Sequence, residues 1–367
     1  MNKQLRKKLY LLLVLIFVIF LFRFFANWPS FIENVYANGI YKLISILQRS
    51  ITGWLPFSLG DVVYAVVILL ILLGIFQYIR GIVKAKENRG SFALNGLLKG
   101  TIIFLCAYLV FQFCWGLNYF RQPLSERLML NSERADKEQL MRLAAILTQR
   151  VNTAHLELTN DSLVQYRNPI HSDSLYKIAS VGYDKSVDFN FKIRSTKTSL
   201  YKLLMNYGGI GGYYNPFSGE SQVNTDPPKF SLPFTICHEM AHQSGISAEE
   251  EANFVGYITA LNTQDKFFKY SAELEAFMYT VSELGRMDTL ARKHYYLSLN
   301  RGVKADIKEY RQFWRKYENA IEPYFEWYYD LFLKSNNQPK GIRSYNEFVN
   351  LLVGYYEKKG LITVKSQ

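Results

Sequence analysis

Cysteine is scarce in this chain of 367 residues, which has only Cys106, Cys114 and Cys237. Two of the three fall in an apolar run, so no disulfide framework is available and the fold must rest on its core. Cys237 stands alone in the polar part and reads as a small buried hydrophobe. Internal repeats and low-complexity tracts are missing. A phosphate loop is missing too. The run Tyr207-Gly208-Gly209-Ile210-Gly211-Gly212 is not followed by Lys-Ser/Thr, and its glycines suit a close backbone approach or an unusual turn. A nucleic-acid footprint is absent despite a net charge of +12. Lys3, Arg6, Lys7 and Lys8 at the N-terminus, with Arg80, Lys84, Lys86, Arg89 and Lys99 against Glu87, account for eight of those charges. The excess is thus a topology signal, not a binding surface.

Charge is also nearly absent from three runs: about 9–25, 62–79 and 97–117. Each approaches the ~20 residues a bilayer requires. The first lacks a small-residue cleavage site behind it and reads as an uncleaved anchor. The basic clusters place the N-terminus and the loop between the second and third runs in the cytoplasm. Residues 118–367 then lie outside the cytoplasmic membrane of a multi-pass protein. Residues 28–58 form an outer loop. Within it, Phe31–Leu47 has helical apolar spacing, suited to the membrane surface, to covering the domain above, or to ordinary packing.

Histidine is nearly as rare as cysteine, with His155, His171, His238, His242 and His294. Yet two of the five form His238-Glu239-Met240-Ala241-His242, an HExxH motif. Residues four apart share a helix face, so both imidazoles can grip one metal ion. Glu239 is offset by one residue, beside the position a water would take. Pro233 suits the first turn of this helix and Gly245 its end. Ser247 and Glu250 have capping-box spacing for a second helix. The acids Glu249, Glu250 and Glu251 lie in its first turn, where the helix dipole alone would favour them.

Here the chain resembles the gluzincin metallopeptidases, which follow HExxH with Glu-x-x-Ala-Asp or Glu-x-x-Ala-Asn. The resemblance implies that Glu249 is the third Zn2+ ligand, Ala252 a small packing residue, and Asn253 a support for a ligand. Only six residues separate His242 from Glu249, fewer than in familiar gluzincins, and Gly245 is a metzincin-like turn. Glu250 and Glu251 therefore stay open as ligands. With its leading membrane segments, the chain is also similar to an uncharacterised family of bacterial membrane proteins carrying a domain of unknown function.

The expected fold is mainly α (α+β). Three transmembrane helices (residues 1–117) precede a helix-rich, zincin-like ectodomain (residues 118–367) with a small β-sheet. A helix is expected over Ser132–His155, with Leu140, Leu143, Ala144 and Leu147 on one side. A strand is expected over Ser221–Asn224, matching by analogy the edge strand on which zincins bind substrate. Helices are expected at about 267–286, 288–299, 303–334 and 344–358, with Phe313, Trp314, Tyr324, Phe325, Trp327 and Tyr328 as core. Arg343, Tyr345, Tyr213 and Tyr257 are candidates for stabilising an oxyanion. The expected function is hydrolysis of a peptide or protein by water on zinc, with Glu239 as general base. The alternatives are a non-catalytic sensor or partner-binding ectodomain, and a zinc amidase acting on cell-wall peptides. The oligomeric state is not legible.

Overall fold

The computed structural model describes residues 3–85, 88–167, 171–186 and 188–362, with the side chains of residues 345 and 346 outside that description. It begins with α1 (Lys3–Ala26), a short α2 (Pro29–Phe31), a π-helical stretch (Ile32–Ile40) and α3 (Tyr41–Thr52). Next come α4 (Leu59–Lys84) and α5 (Arg89–Cys114). Helices α1, α4 and α5 are long and apolar enough to cross a membrane. Their apolar side chains are largely exposed, as lipid contact requires and water would not tolerate. Lys8 Nζ donates to Asn95 Oδ1 at 3.2 Å, tying α1 to the start of α5.

The segment between α1 and α4 packs into the polar body of the protein. Ile32, Tyr36, Ala37 and Tyr41 are buried in one cluster with Trp115, Tyr119 and Leu333. Glu33 pairs with Arg121 at 2.7 Å and with Arg127 at 3.5 Å. Those two guanidinium groups outweigh burial, so the Glu33 carboxyl is held below its ordinary range. The N-terminus of α4 is anchored as well. Its first amides, Leu59 and Gly60, donate to the Glu220 carboxylate, an acid at a helix start.

The body follows. Its elements are α6 (Leu124–Arg127), α7 (Lys137–Thr159), α8 (Ser172–Asp184), β1 (Thr196–Thr198), α9 (Lys202–Tyr207), β2 (Gly212–Asn215) and β3 (Glu220–Val223). Then come α10 (Leu232–Gln243), α11 (Glu249–Asn262), α12 (Lys266–Met287), α13 (Thr289–Leu297), α14 (Arg301–Arg315), α15 (Glu322–Ser335) and α16 (Glu347–Lys358). Helix α7 starts at residue 137 because Asp136 and Gln139 form a reciprocal capping box. Leu140, Leu143, Ala144 and Leu147 are fully buried, as expected, in a core shared with Phe267, Phe268 and Phe277 of α12.

Three expectations need correction. The strand near 221 is the middle of a three-stranded sheet ordered β1-β3-β2, parallel to β1 and antiparallel to β2. It therefore has no free edge, and β2 is an outer strand. The helix expected over 303–334 is two helices. Asn319 Oδ1 accepts from the amides of Ile321 and Glu322, and Pro323 starts α15, since proline cannot continue a helix interior. Tyr324, Phe325, Trp327 and Tyr328 are exposed on α15 rather than core.

Candidate metal centre

Helix α10 is buried from Leu232 to Gln243 apart from Thr235. Pro233 lies in its first turn, and Gly245 (φ +86°) reverses the chain after it, a conformation that costs glycine nothing. Gln243 ends the helix and ties it to β1. Its Nε2 donates to the Ser195 carbonyl at 2.7 Å and its Oε1 accepts from the Ser195 amide at 3.2 Å. Ser221 Oγ on β3 donates to the Glu239 carbonyl at 2.6 Å. The sheet thus fixes both the pitch and the roll of α10.

Helix α11 crosses α10 closely because of Gly256. A Cβ there would lie 2.9 Å from the His238 backbone nitrogen. Two turns earlier on the same face stands Glu249. Its Oε2 lies 3.3 Å from His238 Nε2 and 3.7 Å from His242 Nε2. Candidate ligand atoms of His238, His242 and Glu249 all fall within 4.8 Å of one another, and all three residues are buried. His242 Nδ1 lies 2.7 Å from the Ile246 carbonyl. That partner holds a proton on Nδ1 and leaves Nε2 facing Glu249. Burial would lower the His242 pKa, but the Glu249 carboxylate overrides it and lifts it to about 9. Burial would raise Glu249, and the two imidazoles instead pull it well down. The two-nitrogen, one-oxygen donor set fits a divalent metal, and binding one would displace a proton from His242 Nε2 while Nδ1 keeps its own.

Of the three neighbouring acids, Glu249 is the one that reaches the histidines. Glu251 Oε1 accepts the Leu124 amide at 2.6 Å, and Glu250 and Glu251 both line a different cavity. The capping box expected from Ser247 and Glu250 does not form: Ala248 is the N-cap and no side chain caps α11. Glu239 is buried with Oε2 unpartnered. Burial pushes its carboxyl up to about 7. Gly212 of β2 lies directly against it, since a Cβ there would meet Glu239 Oε1 at 2.4 Å. Asn253 is buried, but its Nδ2 has no partner and bonds neither histidine.

Two parts of the site were not foreseen from sequence. Tyr329 on α15 donates to Glu249 Oε1 at 2.6 Å. It sits in a run of aromatics whose spacing alone says only that they are apolar. Trp115, the residue after α5, meets the His242 ring edge-on at 6.0 Å. Behind it Tyr41 donates to the Gln243 carbonyl at 3.2 Å, and the buried Arg49 donates to the same oxygen at 3.0 Å. The residue that follows a membrane-type helix therefore packs directly on the cluster. Of the oxyanion candidates, Tyr257 is spent on Glu273 and Tyr356 deep in the core. Tyr213 donates to Asp61, Arg343 lies in the 3-10 turn Gly341–Asn346 before α16, and the Tyr345 side chain lies outside the described residues.

A family described as a protein of unknown function (DUF3810) matches residues 36–353. The chain belongs to the DUF3810 family. No curated protein and no solved structure matches it. The DUF3810 match takes in α3, α4, α5 and the whole metal cluster, so the shared region includes most of the loop packed on α10 as well as α10 itself.

Proposed function

We propose that this DUF3810 protein is a membrane-anchored zinc metallopeptidase of zincin type, hydrolysing peptide bonds outside the cytoplasmic membrane. The observation that carries the reading is the convergence of His238, His242 and Glu249, with Glu239 held beside them against an outer strand. Zinc, when bound, supplies Lewis acidity that polarises a carbonyl and makes water acidic enough to attack at neutral pH. Glu239 takes the proton of the attacking water and returns it to the leaving amine. Strand β2 offers its outer edge to an extended peptide, and Gly211 and Gly212 put no side chain between that edge and Glu239. His242 is oriented by the Ile246 carbonyl and backed by Trp115.

The orientation follows from charge. Lys3, Arg6, Lys7, Lys8, Lys84 and Arg89 gather at the ends of α1, α4 and α5 remote from the body. Basic ends stay cytoplasmic, so the body faces outward.

The test uses the full chain purified in detergent. One zinc per chain is expected, lost in His242→Ala and Glu249→Ala and retained in Glu250→Gln. Glu239→Gln should keep zinc and lose at least 100-fold in cleavage of a quenched peptide library, the scale of a general base. A folded wild-type chain that takes up no zinc overturns the reading. If Glu239→Gln preserves the protein's role in the cell, a partner-binding ectodomain is the better account.

A further inference from the structure

Beside the metal cluster, and not including its histidines, lies a cavity of about 400 Å³. It is walled by the turn after α5, the start of α11 and the segment after α15, with Asn118, Glu250 and Gln338 on its lining. These side chains have polar atoms shut off from solvent and left without partners. Asn118 is 2% exposed, and neither its Nδ2 nor its Oδ1 is bonded. Gln338 is 8% exposed with Oε1 unbonded, and Glu250 Oε2 is unbonded as well. The Ser344 hydroxyl sits near Glu250 but makes no well-formed hydrogen bond with it. A buried polar group left bare costs about 1–3 kcal/mol, and several around one cavity indicate a missing occupant.

The chemistry of the occupant follows from what is bare. Of the orphaned atoms, Glu250 Oε2, Gln338 Oε1 and Asn118 Oδ1 accept, Asn118 Nδ2 donates, and the Ser344 hydroxyl can do either. The cations on the wall are already spent. Arg121 is doubly bonded to Glu33 and also donates to the Gly245 carbonyl, while Lys340 pairs with Glu347 at 2.8 Å. Among the described residues Glu250 has no cation beside it, and burial with Glu251 next to it pushes its carboxyl up to about 8, so a positively charged occupant would favour its ionised form. Water could fill the space, but it would not supply positive charge. A single metal ion would leave most of the volume empty. We propose that this cavity binds a small organic cation whose primary ammonium group meets Glu250, Gln338 and Asn118 Oδ1, with an oxygen acceptor nearby for Asn118 Nδ2.

The probe is ethanolamine, with ethylene glycol as its uncharged counterpart, on the full chain in detergent. Ethanolamine should raise the Tm saturably, and ethylene glycol should not. The apparent affinity should fall at least tenfold in Glu250→Gln and in Asn118→Ala, with the second variant deciding if the first does not fold. Zinc content, measured alongside, should be unchanged in both, which separates this site from the metal reading. No saturable rise in folded wild type, an equal rise with ethylene glycol, or undiminished binding by the folded variants would each overturn it; the first two mean a cavity filled by water alone.

Discussion

At the scale of single residues, the cluster of His238, His242 and Glu249 depends on side chains that are not there. Gly256 lets α11 approach α10 until Glu249 reaches both imidazoles. Gly256→Ala forces a methyl group against the His238 backbone. The helices must separate, at about 1–3 kcal/mol, and zinc affinity should drop at least tenfold, read by competition with a chelating dye. Unchanged affinity would mean that the close crossing does not position Glu249. Glu275 shows a different residue effect. Burial lifts its carboxyl to about 7, against an ordinary value of 4.5. Between those values the folded state holds a proton that the unfolded state releases, so this group's contribution falls as pH rises from about 4.5 to 7 and is level above. Glu275→Gln should therefore gain stability over wild type, on the order of 3 kcal/mol at pH 8, and little at pH 4. A mutant offset that does not vary with pH in denaturant titrations would refute it. The HExxH histidines, Pro233 and Gly245 were legible because each carries its own local rule, whereas Glu249 was set apart from Glu250 and Glu251 only by the family resemblance. Tyr329 was not, because only the tertiary fold brings residue 329 to residue 249.

At the scale of elements, α15 is the part that sequence misjudged most. Its aromatic residues are abundant enough to suggest core, but periodicity reports which residues share a face and not what covers that face. Helix α15 instead spans the site with its outer side open. Asn319, just before it, donates to the Tyr207 carbonyl beside the glycine run. Tyr329 holds Glu249 in its middle, and near its end Phe332 packs on Phe111 and Tyr119. A helix whose outer face is open should open locally at less cost than global unfolding. Tyr329→Phe combined with Asn319→Ala should raise amide hydrogen exchange at least tenfold across 322–335 and leave α7 and α12 protected. Equal exchange in both proteins would show that other contacts hold the helix. The break at 316–321 was readable after the fact, since Asn319 and Pro323 are stop and start signals in sequence. The aromatic run on both sides masked them.

At the scale of the whole molecule, the sequence suggested a membrane part ending near residue 117 and a body that stands by itself. The three membrane-type helices were plain from composition, because length and apolarity are one-dimensional properties. The role of the loop between α1 and α4 was not, because its helical spacing fits a membrane surface as well as a protein surface. In the fold it is part of the body. Arg49 is 1% exposed and donates to the carbonyls of Gln243, Ile193 and Lys192. It thus neutralises the C-terminal end of the HExxH helix from within. Tyr41 reaches the same Gln243 carbonyl, and the Ile32–Tyr41 stretch buries Trp115 and Tyr119. A chain beginning at residue 118 would lose this layer together with Trp115. It would expose the Tyr214 and Leu333 surfaces and lose the bonds that Arg49 and Tyr41 make to the end of α10. Losses of this kind are comparable with the 5–15 kcal/mol by which a typical domain is stable. Residues 118–367 expressed alone should therefore show no cooperative thermal transition and no stoichiometric zinc. Arg49→Met in the full chain should lower the denaturation midpoint while membrane insertion persists. A cooperatively folded, zinc-binding fragment would mean instead that the loop decorates the metal centre without building it.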